Sequence, residues 1–222
     1  MSPEAAGTPV VDGVAVEVQR RLEALYALEP GAPVSEFLIA ADAAPPLPGC
    51  GSRTLVAQEG DEVRLGVMLD AGVEAQLRGR DPRVRLDAVN LDALCTLTEE
   101  VSHFLYVSFC ARKGRSVTQL ELELQGEVDK YLTAAFLLSL QNEGALSTGL
   151  RTLLFRRYRL RDGLAAESAE RYREASRLAF AWCGYLEAEY LRRARLHDLR
   201  REARRFYRLG QREKLLRIAD VS

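Results

Sequence analysis

Between Leu91 and Leu140 the chain has little choice but to form two antiparallel helices. Leu91 to about Arg112 has no internal Gly or Pro, Asn90 precedes it as an N-cap candidate, and Lys113-Gly114 supplies a stop. A second helical run follows from about Val117 to Leu140, and the four-residue turn Lys113–Ser116 forces it back along the first. The first helix is apolar on most sides, with Leu94, Leu97, Val101, Leu105 and Phe109 on one face, yet Glu99, Glu100 and His103 cluster at its middle. At about 100° per residue Glu99 and His103 stand one turn apart on the same face, with Glu100 beside them. Unpaired buried charges are costly, so the cluster should face a cavity or a partner. On the second helix Glu127 lies among Leu120, Leu124, Tyr131, Ala134 and Leu138, with Glu123 one turn earlier on the same side. A carboxylate so placed needs a specific partner, and the sequence-near candidates are His103 and Glu99 or Glu100.

The remaining segments are less constrained. Val14–Leu28 has helical apolar spacing and Pro30 ends it, while Pro30, Pro33, Pro45, Pro46 and Pro48 mark an irregular connector around the apolar Phe37–Ile39. Thr54–Gln58, Val63–Leu69 and Val84–Val89 are short, valine- and leucine-rich and separated by Gly60-Asp61, Gly79 and Asp81-Pro82, which predicts a small sheet. Thr148–Arg161 and a long run from Leu164 to about Tyr207 are helical in composition, Gly184 being the only breaker, and Gln211–Ile218 adds a short terminal helix. Tyr172, Phe180, Trp182, Tyr185 and Tyr190 recur at helical spacing and read as core.

Charge divides the chain. Residues 1–150 carry 12 basic and 22 acidic side chains, a net −10, and residues 151–222 carry 19 basic and 10 acidic, a net +9, 18 of the 19 being arginine. The two parts either neutralise each other or leave an arginine face for an external acidic partner. Leu191–Arg217, with eleven basic and three acidic residues, is the densest basic stretch, and its leucines and Phe206 make it an amphipathic helix whose arginines favour a solvated face or an acidic partner over nucleic acid. No apolar run approaches the roughly 18 residues of a membrane span, and Met1 to Gly13 lacks the basic-then-apolar pattern of a signal peptide. Four cysteines, Cys50, Cys95, Cys110 and Cys183, form no CxxC pair, which together predicts a soluble protein of the reduced cytoplasm without a membrane partner. Phosphate-binding Gly-rich loops, a GxSxG elbow and zinc-finger spacings are absent, and with only His103 and His197 any metal site must be carboxylate-rich.

The segment Glu99-Glu100-Val101-Ser102-His103, followed by Glu127-Val128-Asp129-Lys130-Tyr131-Leu132, resembles the zincin metallopeptidases of the gluzincin branch, in particular the ImmA/IrrE-like type. There an HExxH helix supplies two ligands and a general base, and a Glu on a later helix supplies the third ligand. The resemblance covers about 45 residues and implies Glu99, His103 and Glu127 as metal ligands, with Glu100 as the catalytic base that takes a proton from the attacking water and passes it to the leaving amine. Tyr131 and Tyr106 are the oxyanion-donor candidates. Glu99 stands where the family has its first histidine, a departure that adds negative charge to the site. Zinc is the first metal expected, with manganese or iron favoured by the oxygen-rich set, and a metal so neutralised polarises water less, which implies weak or absent activity. Glu100–His103 also matches the ExxH of ferritin-like di-iron bundles, but His197 follows Ala194-Arg195-Leu196 and supplies no second ExxH.

The expected fold is α+β and mainly helical. Residues 1–53 form an N-terminal helix and connector, residues 54–147 a zincin-like core of small sheet and two site helices, and residues 148–222 an Arg-rich helical region. Two functions are expected as alternatives. One is a cytoplasmic metal-dependent hydrolase of peptidase type acting on a protein substrate. The other is a non-catalytic regulatory or interaction protein on a degenerate metallopeptidase scaffold, in which the polar cluster is an internal salt-bridged contact without metal and the arginine face binds an acidic protein or, less favourably, nucleic acid.

Overall fold

The computed structural model describes residues 9–39, 51–60, 62–147, 149–156 and 165–221. Eight α-helices and a three-stranded sheet account for most of them: α1 Pro9–Tyr26, β1 Leu38–Ile39, β2 Arg53–Glu59, β3 Glu62–Met68, α2 Ala71–Gly79, α3 Leu91–Ala111, α4 Gln119–Gln141, α5 Leu150–Arg156, α6 Ala166–Leu186, α7 Leu196–Arg208 and α8 Gln211–Ala219. The fold is therefore α+β and mainly helical. Cys50, Pro45, Pro46, Pro48 and the second half of the Thr148–Arg161 segment lie outside the described residues.

The two central helices form where the apolar periodicity placed them. Gly114 takes φ +60°, the left-handed conformation that ends α3, and the amides of residues 112–115 turn back onto the carbonyls of Ser108, Cys110 and Ala111. Helix α4 starts on Thr118, whose hydroxyl accepts the Glu121 amide at 3.2 Å. Helix α3 packs most extensively against α4 and also touches α1, α2 and the sheet, while α6 packs along α4 and α8 rests on α6. One continuous apolar core runs from Val11 on α1 to Ile218 on α8. Strand β3 is central in the order β1-β3-β2; β1 runs parallel to it and β2 antiparallel, with Thr54 opposite Val67.

Three expectations are corrected. The segment 84–89 is not a strand. Asp81 and Asp87 accept the amides of Arg83 and Val89 at 2.9 and 3.0 Å, turning the chain locally, and Val84 and Val89 remain 80% and 60% exposed. Instead α2 forms just before it, capped by the Asp70 carboxylate on the Gly72 amide at 2.8 Å. Asn90 precedes α3 but does not cap it: its side chain takes the Asp87 amide and donates to the Arg80 and Arg85 carbonyls, tying the turns together. The long run after Leu164 breaks at residues 192–195, past a π-turn at Glu187–Leu191 and through Ala194 at φ +52°, and not at Gly184. Gly184 stays inside α6, where a Cβ would stand 2.9 Å from the Arg151 guanidinium.

Direct pairing between the two charged parts is sparse among the described residues. Among the described residues, arginines after residue 150 pair with Glu174, Glu187, Glu189, Asp198 and Glu202 of their own part, and only Arg171–Glu123 crosses over. Arg204 and Arg208 instead donate to the last carbonyls of α1, those of Ala24, Leu25, Tyr26 and Ala27. Cys95, Cys110 and Cys183 are buried free thiols.

Candidate metal centre

The site is built where α3, α4 and α6 meet. Helix α4 carries Gly126 at the crossing, and a Cβ there would stand 3.0 Å from His103 Nε2 and 3.4 Å from Glu99 Cγ. A mid-helix glycine costs roughly 0.5–1 kcal/mol relative to Ala, and here it lets the imidazole lie against the α4 backbone. Glu99 and His103, one turn apart on α3, then face Glu123, one turn before Glu127 on α4.

Glu99, His103 and Glu123 each offer one ligand atom within 4.8 Å of the other two, and this largely buried set could hold a metal ion. His103 Nε2 and Glu123 Oε2 stand 3.7 Å apart, and both atoms are buried without a hydrogen-bond partner among the described residues. Ligands on a tetrahedral zinc stand roughly 3.4 Å from one another, so the set needs to close only modestly around an ion. Burial lowers the His103 pKa to about 4 against the opposing pull of Glu99, so the imidazole is neutral at pH 7 with a lone pair to give. Burial, reinforced by Glu99, raises the Glu123 carboxyl to about 8; Arg171 and Lys130 work against that shift. A bound cation in place of that proton would settle the carboxylate. Three donors of this kind, one imidazole and two carboxylates, suit zinc, manganese or iron.

Glu127 is buried, as its neighbours imply, but its carboxylate meets Lys130 Nζ at 2.8 Å, and the same ammonium meets Glu99 at 2.9 Å. Burial works against the Lys130 charge, yet Glu127 and Glu99 hold it charged well above its ordinary range. Lys130 therefore lies between the two carboxylates that the family resemblance gives to a metal, and Glu127 is outside the set of atoms that converge on His103. Glu100 stands at the other edge of the imidazole, its Oε2 3.9 Å from Nδ1, and accepts the Thr54 hydroxyl of β2 at 2.9 Å. That is the side from which a carboxylate can orient a ligating histidine, although 3.9 Å is beyond hydrogen-bond distance. Tyr131 and Tyr106 are engaged elsewhere, on Glu187 and Glu121.

Helix α6 contributes what sequence reasoning did not anticipate. Arg171 Nε comes 3.9 Å from Glu123 Oε1, and Tyr172 lies near enough to the Glu123 carboxylate to oppose the rise in its pKa. Spacing within α3 and α4 gives no sign of α6, whereas Glu123 itself was marked by its place one turn before Glu127. No protein-family model matches the chain, and neither a curated protein nor a solved structure shows significant similarity to it.

Proposed function

We propose that this protein binds a divalent metal ion through Glu99, His103 and Glu123 and uses it to hydrolyse a peptide-type bond, in the manner of a metallopeptidase with a carboxylate in place of one histidine. The observation that carries the reading is the facing pair His103 Nε2 and Glu123 Oε2, 3.7 Å apart, buried and unsatisfied. Buried polar atoms are almost always partnered, and an ion between these two would partner both. When bound, the metal supplies Lewis-acid polarisation of a carbonyl and a lower pKa for water. Glu100 lies beside the Nδ1 edge of His103, away from the metal-facing Nε2, and its role as the base that takes a proton from the attacking water rests on the family resemblance. Arg171 brings positive charge within 3.9 Å of Glu123. A peptide is the substrate type favoured by β2, which carries Thr54 beside Glu100 and whose outer edge pairs with no strand among the described residues.

A specific observation favours the second reading, a non-catalytic interaction protein. Lys130 and Arg171 already bring positive charge to Glu99, Glu127 and Glu123, as an internal polar contact requires. On α7, Arg200 and Arg205 meet no carboxylate among the described residues and are exposed, which suits an acidic protein partner.

Elemental analysis of protein purified without an immobilised-metal column separates the two. Near-stoichiometric metal is expected in the wild type, lost in His103→Ala and Glu123→Ala and kept in Glu127→Ala. Metal lost in Glu127→Ala and kept in Glu123→Ala would return the third ligand to Glu127. A wild type that stays empty after incubation with zinc, manganese and iron sinks the metal reading. With metal present, Glu100→Gln should retain it and lose turnover of a pool of internally quenched peptides.

A further inference from the structure

A second concavity, separate from the metal centre, lies between the end of α1, the β3 strand and the C-terminal half of α3, with a volume of about 670 Å³. That falls within the roughly 300–1,000 Å³ of sites that enclose small molecules. Its floor is apolar: the Phe37 and Phe104 rings pack with centroids 4.9 Å apart, beside Leu65 and Phe109. Its mouth carries Arg112 and Lys113, both exposed and neither meeting a carboxylate among the described residues; Lys113 Nζ lies 5.5 Å from the centre of the Phe109 ring.

Two cations near helix C-termini ordinarily answer the carbonyls there. Here those carbonyls are already taken. The last carbonyls of α1 accept from Arg204 and Arg208, and those of α3 accept backbone amides of residues 112–115. Of the acids lining the cleft, Glu23 is buried and spent on Gln19 and the Gly31 amide, which leaves Glu29 alone against Arg112, Lys113 and Arg208. Positive charge is thus in surplus at the mouth of an aromatic cleft.

We propose that this cleft binds a small amphipathic carboxylate, its apolar body against Phe37, Phe104 and Leu65 and its carboxylate between Arg112 and Lys113. The probe is dodecanoate below its micellar concentration, followed by calorimetry and by displacement of anilinonaphthalene sulfonate. Octyl glucoside serves as the neutral amphiphile and acetate as the anion without a body. One saturable dodecanoate site is expected, with both controls far weaker. The exposed double variant Arg112→Glu/Lys113→Glu should weaken it by roughly tenfold or more, the sum of two modest surface charge effects. Ser108→Trp, which fills the cleft, should abolish it, and Arg200→Glu/Arg205→Glu on α7 should leave it within about twofold. Absence of saturable binding, equal affinity for octyl glucoside, an unchanged Arg112→Glu/Lys113→Glu variant, or equal weakening by the α7 variant would each overturn the proposal.

Discussion

Gly126 sets how closely α4 approaches the imidazole of His103, and one atom at that position tests the geometry of the centre. In Gly126→Ala the helix gains up to about 1 kcal/mol of propensity, but the new Cβ meets His103 Nε2 at 3.0 Å and Glu99 Cγ at 3.4 Å. Crowding a packed site costs roughly 1–3 kcal/mol. The expected outcome is a net loss of about 1 kcal/mol in chemical denaturation together with weaker metal binding. A variant more stable than the wild type with metal affinity intact would mean that the two helices part there without penalty. Residue chemistry also explains what the sequence could and could not disclose at the site. Glu99, Glu100 and His103 announce themselves as the only acidic, basic or imidazole side chains after Asp92 on an apolar helix. Glu123 and Glu127 are indistinguishable by periodicity, being one turn apart on one face.

At the scale of elements, α8 is docked by an unusual side chain. Lys214 is fully buried, donates to Gln125 Oε1 of α4 at 2.7 Å, and lies 4.4 and 5.0 Å from the centres of the Tyr106 and Phe206 rings. Gln125 in turn joins Tyr26 and Asp129, and Ser102 of α3 donates to Asp129 at 2.6 Å, so one polar chain links α1, α3, α4 and α8. Burial lowers the Lys214 pKa to about 7, with Glu121 and Asp129 opposing the shift and Arg115 adding to it. Between about pH 7 and the unfolded value near 10.5 the unfolded chain holds a proton that the folded chain has shed. Stability from this group therefore rises with pH across that window and is lost as pH falls towards 7. Comparing urea unfolding of the wild type and Lys214→Met at about pH 7 and about pH 10 should show the wild type gaining relative to the variant. Parallel profiles would assign the pH dependence to other groups. The elements misread from sequence each have a tertiary or backbone cause. The segment 84–89 has strand composition but no neighbouring strand to pair with, and the break at residues 192–195 arises in a stretch of good helix formers through a π-turn that periodicity does not encode.

For the whole molecule, the apolar core is continuous from α1 to α8, and Trp182 sits fully buried within it, stacked on Phe206 of α7 with centroids 4.2 Å apart. Unfolding should then be a single cooperative transition, with Trp182 fluorescence and far-ultraviolet circular dichroism coincident. Separated transitions would show that the helical region after residue 150 melts independently. None of the described helices is long and apolar enough to cross a membrane. The sequence by itself determined that α3 and α4 exist, that they run antiparallel, and that His103 and its neighbouring carboxylates share a largely buried face, because these follow from local periodicity and a short turn. Only the tertiary structure decided that Glu123 converges on His103 while Glu127 is held by Lys130, and that Arg171 and Tyr172 arrive from α6. The physical reason is that periodicity fixes the angle of a side chain around its own helix. It carries no information about how far one helix is shifted along another, and a shift of one turn exchanges the two glutamates.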